Sequence, residues 1–367
     1  DGMTSAGCEK SALSLIVSIM VAIPQETFNV SDKKNRQVRL ASRPQGWVTE
    51  DNFEVADTPI PDLDDGQILT RNIYMSVDPY MRGRMNEGRS YIEPFGIGKV
   101  CEAGVVAQVV NSRNNEFAEG DYVTGMLGWE NYSVSDGNGL RKIQKSAVPL
   151  SYHLGILGMP GMTAWVGLMT IGAAKPEEQV FVSAASGAVG TVVGQLAKIH
   201  GCQVAGCAGS DEKVDLLTQE LGFDAAFNYR KSESLPKSIA SACPSGIDVN
   251  FENVGGGIFE AALWNMRDFG RIALCGMISN YNDAEMQPGP RGMMSIIGRR
   301  LTIRGFLVFD HMDDCTEYVG KAIGWLAEGK LQYRETVAEG IDNAPGAFIN
   351  MLNGKNVGKQ IVRLADD

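Results

Sequence analysis

Ser186-Gly187-Ala188-Val189-Gly190 lies between a short apolar run, Val180 to Ala184, and an apolar-rich segment that ends near His200-Gly201. That order reads as buried strand, glycine turn and helix. Backbone without a Cβ can approach a pyrophosphate closely, and the free N–H groups at a helix start attract its charge. Gly187, Ala188, Val189 and Gly190 are therefore the expected phosphate contacts. The run falls short of a full G-x-G-x-x-G fingerprint, because Ala185 stands where the first glycine would be. The next expected strand, Gln203 to Ala208, ends in Ala208-Gly209-Ser210, where an NAD-binding chain would offer a carboxylate to the ribose 2′-hydroxyl. With no acid at that tip a 2′-phosphate is not repelled, and Lys213, one turn into the next helix, can supply positive charge. The pattern favours NADP(H) over NAD(H). An ordinary solvated lysine is the competing account of Lys213.

These residues need a parallel sheet to hold them, and the rhythm after about Pro149 supplies one. Strands are expected at 180–184, 203–208, 225–228, 247–251, 271–275 and 301–308, with helical patterns between most of them, which describes a doubly wound α/β sheet. From Arg36 to about Val148 the pattern is different. Short strand-like runs at 67–77, 105–110, 121–126 and 132–134 are broken by glycine and proline, as in an antiparallel, barrel-like domain. A helix from about Glu317 to Gly329 and a strand over Lys359 to Arg363 are expected to return the chain to that first domain.

The chain has 367 residues, 44% of them hydrophobic, enough for about two domains with sizeable cores. A net charge of -11 argues against nucleic acid or an anionic membrane as the main partner. Seven cysteines, an odd number with no C-x-x-C pair, suit a reducing, cytoplasmic setting. The apolar stretch Ala12 to Ile23 is too short to span a bilayer and lacks an A-x-A site. Residues 1–35 are read as a leader or a disordered extension.

From about Asn35 to Leu364 the chain resembles the zinc-independent branch of the medium-chain dehydrogenase/reductase superfamily that holds leukotriene dehydrogenase/prostaglandin reductase and alkenal reductase. The matching blocks are Val77-Asp78-Pro79-Tyr80-Met81-Arg82, Gly158-Met159-Pro160-Gly161-Met162-Thr163-Ala164, Gly209-Ser210-Asp211-Glu212-Lys213, Phe227-Asn228-Tyr229, Glu252-Asn253-Val254-Gly255-Gly256, Ile278-Ser279-Asn280-Tyr281-Asn282 and Gly354-Lys355-Asn356-Val357-Gly358-Lys359. The run Tyr80 to Met85 looks most like the bacterial curcumin reductases. The resemblance implies a GroES-like catalytic domain over 36–150, completed by 315–367, and an NADP-binding Rossmann domain over 151–314. It further implies that Lys213 and Tyr229 hold the adenosine 2′-phosphate. Asn253, Cys275, Gly276, Met277, Ile278, Phe306, Leu307 and Val308 would lie on the nicotinamide side, and Asn356 would contact the cofactor from the tail. Asn253 as a turn former and Phe306 to Val308 as plain core strand are the structural alternatives.

Zinc enzymes of the superfamily bind metal through cysteine and histidine. Here His153, His200 and His311 are the three histidines, and the stretch matching their Gly-His-Glu is Lys99-Val100-Cys101-Glu102-Ala103-Gly104. Cys101 reads as a small core residue, and no metal is expected. The chemistry that fits is hydride transfer from NADPH to the β-carbon of an α,β-unsaturated ketone or aldehyde, with a hydroxyl donor at the carbonyl oxygen. Tyr281, in the loop after the fifth strand, is the first candidate for that donor. Tyr80 and Met159 would line the substrate entrance, with packing against Met81 as the alternative for Tyr80. Arg82 and Arg84 read as solvated surface charge. A zinc-free quinone reductase and a non-catalytic NADP-binding protein remain as alternatives, and the resemblance implies a homodimer formed through the sheet domain.

Overall fold

The computed structural model describes residues 34–144, 148–285 and 287–367, and residues 34–367 form one compact unit. The expectation for the apolar stretch Ala12 to Ile23 lies outside the described residues. Among the described residues no helix is long and apolar enough to cross a membrane.

The first part of the chain runs β1 (Lys34–Leu40), β2 (Phe53–Pro59), β3 (Ile68–Ser76), α1 (Met81–Arg84), β4 (Glu102–Ser112), β5 (Tyr122–Gly128), β6 (Tyr132–Ser135) and β7 (Arg141–Ile143). The second alternates: α2 (Met159–Trp165), β8 (Gln179–Val182), α3 (Gly190–Ile199), β9 (Gln203–Ala208), α4 (Asp211–Asp215), β10 (Ala225–Asn228), α5 (Leu235–Ala242), β11 (Ile247–Glu252), α6 (Gly256–Asn265), β12 (Met266–Leu274), α7 (Met294–Arg299) and β13 (Thr302–Gly305). The tail adds α8 (Met312–Ala327), β14 (Glu335–Glu339), α9 (Ala344–Leu352) and β15 (Lys359–Arg363).

Strands β8 to β13 form one parallel sheet in the order β10-β9-β8-β11-β12-β13. The order reverses between β8 and β11, and in such sheets a crevice opens there, outside the carboxyl ends of the strands. The strands that carry it are apolar on both faces, since helices cover both: Val180, Val182, Val204, Val249 and Phe251 have no exposed surface. The second sheet, β14-β15-β3-β4-β5-β7 with β6 also on β3, is antiparallel apart from β14 and β15. Its core includes Trp129, whose ring stacks on Phe53 at 5.8 Å and meets the edge of Phe348, from α9, at 5.9 Å. The end of the chain thus closes the core that its beginning opens.

Three local expectations are corrected. Lys34 and Asn35 belong to β1 and not to a leader or extension: Asn35 is buried, donating to Glu130 Oε2 and to the Tyr132 carbonyl at 2.8 Å each. The last sheet strand stops at Gly305, so Phe306 and Leu307 leave the sheet as connecting backbone and Val308 opens a 3-10 turn. The strand expected at 271 begins at Met266 and passes through Phe269 at φ +62°, an irregular entry that an apolar-run reading does not register.

Candidate active site

The glycine turn lies at the carboxyl end of β8. Gly190 starts α3 against the backbone of the turn itself: a Cβ there would collide with the Ala184 carbonyl oxygen and come within 2.8 Å of the Ala185 Cα. Gly187 is different, since a Cβ there meets the Ala184 oxygen at 3.3 Å and no other atom within 4 Å. Residues 187–189 are half-buried, which leaves their outer side accessible. Opposite them runs the chain's tail, where the Gly358 N–H donates to the Ser186 carbonyl at 2.8 Å and Asn356 Nδ2 donates to the Gly358 carbonyl at 2.8 Å.

Beside the turn, a cleft of about 500 Å³ is lined by Ser210, Lys213 and Leu216 on one side and by Lys355 and Val357 of the tail on another. Ser210 caps α4 by accepting from the Lys213 N–H, which fixes the lysine in the first helical turn. Its ammonium donates to the Gly354 carbonyl at 2.7 Å. Burial first, and the charge of Arg230 second, lower its pKa. The Tyr229 hydroxyl is 3.0 Å from where a Gly209 Cβ would stand, so that glycine leaves room for it at the β9 tip. Of the acids beside that tip, Asp211 is engaged by Asn228 and Lys231, while Glu212 lines the cleft next to Lys213 and interacts with Ser210. Lys213 and the tail therefore share a recess of mixed charge, in which Arg334 and Lys355 stand with Glu212, Glu220 and Glu335, and the Tyr229 hydroxyl lies by Gly209, next to Ser210 at its edge. Arg230, which the sequence reading passed over, stands with them.

At the switch point, buried Glu252 accepts from Ser183 Oγ at 2.9 Å and from the Val254 and Gly255 N–H groups at 2.8 and 2.9 Å. Asn253 donates from Nδ2 to the Ser183 carbonyl at 2.8 Å, so it ties β8 to β11 as well as turning the chain. Cys275 and Gly276 both donate backbone N–H bonds to the Glu252 carbonyl. These contacts bring the 275–278 segment against the β11 tip. Phe306 packs on Phe251 at 6.4 Å, Leu307 is exposed and Val308 is buried in the sheet core. Of those three, Val308 alone is buried, and its carbonyl accepts from the buried Cys315 Sγ at 3.8 Å.

Tyr281 follows a 3-10 turn, Ile278–Asn280, and its side chain folds back over the end of β12. Its hydroxyl accepts from the Met277 N–H at 3.4 Å and lies 3.2 Å from where a Gly276 Cβ would stand. Burial, the largest cause, raises its pKa, with Cys275 adding to the rise and the Met277 N–H opposing it. The phenol stays protonated at neutral pH, and a hydroxyl that accepts from backbone keeps its own proton to donate outward. Tyr91 lies within electrostatic reach of Tyr281 and Cys275: desolvation first, then those two groups, raise its pKa although the residue is 62% exposed. Tyr80, half-buried against the core of the first sheet, has Tyr91 among its neighbours, and burial raises its pKa further. Tyr281 thus lies at the Cys275 end of β12, Tyr91 is within electrostatic reach of both, and Tyr80 connects to them through Tyr91. Met159 opens α2 and packs on the parallel-sheet core. Tyr91 carries no signal in sequence, being one aromatic in a polar, glycine-punctuated loop.

Arg82 and Arg84 are not solvated; they are 2% and 5% exposed. Arg84 pairs with Glu102 at 2.6 Å and lies 4.2 Å over the Phe95 ring. Arg82 donates to Asn282 Oδ1 at 3.0 Å, Asn86 Oδ1 at 2.6 Å and the Gly46 carbonyl at 2.8 Å. Cys101 has no exposed surface and sits in the core of the first domain. Among the described residues no group of three or more His, Cys, Asp or Glu side chains is placed to hold a metal ion.

Two family patterns match the chain: the N-terminal domain of oxidoreductase over residues 36–143, and zinc-binding dehydrogenase over residues 188–327. The NADPH-dependent curcumin reductase of Escherichia coli is 41% identical over 340 residues, 91% of this chain and 98% of that protein. The NADP(+)-dependent 2-alkenal reductase of Nicotiana tabacum is 45% identical over 337 residues, 90% of this chain and 98% of its own. The crystal structure of CurA from Vibrio vulnificus in complex with NADPH superposes with a TM-score of 0.86 at 42% identity, covering 90% of this chain and all of that one. The chain belongs to the medium-chain dehydrogenase/reductase superfamily, in the branch of the prostaglandin, alkenal and curcumin reductases.

Proposed function

We propose that this protein is an NADPH-dependent reductase of the carbon-carbon double bond in α,β-unsaturated ketones and aldehydes. The observation that carries the reading is the Tyr281 hydroxyl, held protonated against the Met277 N–H and Gly276 at the end of β12, where the sheet's crevice opens. The names of the similar proteins support the same substrate class.

The residues fit the cofactor. Gly187 leaves the turn open to a pyrophosphate, the N–H groups at the start of α3 face it, and Lys213 with Tyr229 offers the 2′-phosphate a cation and a hydroxyl. When bound, NADPH supplies the hydride from nicotinamide C4. Reduction at the β-carbon puts negative charge on the carbonyl oxygen. Tyr281 donates a hydrogen bond there, and a preorganised donor of this kind contributes about 3 kcal/mol, roughly a hundredfold in rate. Tyr80, Tyr91 and Met159 present ring and thioether surface to a flat conjugated substrate. Water supplies the α-carbon proton.

Oxidation of NADPH measured across alkenals, cyclic enones, diarylheptanoids and quinones, with products identified, tests the proposal. Saturated carbonyl products from the enones are expected. Turnover confined to quinones, or NADPH binding without turnover on any acceptor, overturns it. A homodimer through the sheet domain is the accompanying expectation, supported by the outer edge of β13 and by exposed Phe269, Met294 and Ile297 nearby. Light scattering should give twice the chain mass.

A further inference from the structure

We propose that Arg82 is a positioning residue: it reaches from the first domain to Asn282 and holds the loop that presents Tyr281. This inference rests on the donor role argued above for Tyr281.

Arg82 lies on α1, in the segment that also carries Tyr80, and its three bonds go to three separate stretches of chain. Asn86 is one turn on. Gly46 belongs to the connection between β1 and β2. Asn282 lies 200 positions away, immediately after Tyr281. All three acceptors are neutral amide or carbonyl oxygens, so the guanidinium is buried without a carboxylate. A buried cation kept without a counter-ion is costly unless its donors are satisfied. Arg82 meets that condition through the fork geometry of its guanidinium, which a lysine cannot reproduce.

The backbone at the junction favours glycine at position 46, which lies in ordinary contact range of the Asn282 backbone. Gly46 has φ +82°, and a Cβ there would stand 3.6 Å from the Asn282 carbonyl oxygen. Asn282 is 7% exposed, whereas residues 283–285 that follow are exposed. On its other side the loop is tied to the β11 tip, by the Ile278 N–H to the Asn253 carbonyl at 3.2 Å and the Ser279 N–H to the Val254 carbonyl at 2.9 Å. Tyr281 therefore sits between an anchor on the parallel sheet and an anchor on the first domain. The Tyr281 N–H closes the turn onto the Ile278 carbonyl at 3.3 Å, so displacement of Asn282 is passed directly to the neighbouring tyrosine. The Arg82 to Asn282 bond fixes where the Tyr281 hydroxyl points relative to the substrate surface formed by Tyr80 and Tyr91.

A double-mutant cycle between Asn282 and Tyr281 tests this, read as kcat on an enone and as NADPH Kd from fluorescence titration. Asn282→Ala is expected to lower kcat about tenfold, since a small misplacement of a catalytic group is enough, while NADPH Kd stays within about twofold. Asn282→Asp, which keeps an oxygen acceptor for Arg82, retains the parent kcat. In a Tyr281→Phe background, Asn282→Ala costs little more, because the hydroxyl it would misplace is already gone. Arg82→Lys behaves like Asn282→Ala. If Tyr281→Phe lowers kcat but Asn282→Ala does not, or if the two losses simply add, the positioning role is overturned and the donor role stands. If Tyr281→Phe leaves kcat unchanged, the donor role falls and the positioning role with it.

Discussion

Lys359 Nζ lies 2.7 Å from Asp78 Oδ1, and the two side chains are 1% and 7% exposed. The lysine also donates to the Val77 carbonyl at 2.9 Å, and Asp78 accepts from Ser76 Oγ. This pair fastens β15, near the end of the chain, to the loop that leads into Tyr80. Removing one partner leaves the other charge buried alone, at a cost of about 3–5 kcal/mol. Lys359→Met is expected to lower the thermal midpoint sharply, and Asp78→Leu in the same chain to recover much of the loss. A midpoint unchanged by Lys359→Met contradicts this.

The two turn glycines separate binding from folding. Gly190→Ala forces a methyl into the Ala184 carbonyl and the Ala185 backbone, so it should destabilise by about 1–3 kcal/mol in urea unfolding. Gly187→Ala meets only the Ala184 carbonyl oxygen, at 3.3 Å, so it should cost less stability than Gly190→Ala while raising NADPH Kd, because its methyl occupies the approach to the pyrophosphate. Equal stability losses for both variants count against the assignment.

The Rossmann half was legible because parallel strands covered on both faces are unbroken apolar runs. Strands β9 and β10 fall on the residues expected from sequence, and so does β15 in the tail. The first two strands were harder: Asn35 is a polar residue whose burial depends on Glu130 and Tyr132, about a hundred positions away. The same holds for the site. Lys213 announced itself through a missing carboxylate at a strand tip, a local signal. Arg82 did not, because two of its three acceptors lie 36 and 200 positions off, and an arginine among polar neighbours reads as solvated until the fold closes over it. Tyr91 became visible only through the electrostatic influence of Tyr281 and Cys275 on it.

Lys213→Ala should raise the NADPH Kd about tenfold, the scale of one charge-assisted hydrogen bond. NADH, which lacks the 2′-phosphate, should bind almost as before. Fluorescence titration with both cofactors decides, and an equal loss for the two removes Lys213 from phosphate recognition.

Acid sensitivity has an identifiable contributor in His153. Burial first, and the Arg141 charge second, push its pKa down to about 4, from an ordinary value of about 6.5. Between those values the unfolded chain takes up a proton that the folded chain refuses, so stability is retained above about 6.5 and lost as the pH falls toward about 4. His153→Gln should flatten urea-unfolding stability across that window. An unchanged slope would assign the acid sensitivity to other groups.

The central claim is reduction at the β-carbon, and isotope transfer tests it most directly. With NADPH deuterated at the transferring position of C4 and a simple enone, the account predicts one deuterium at the β-carbon of a saturated ketone, with the α-hydrogen drawn from water. Deuterium on the carbonyl carbon of an allylic alcohol would contradict it.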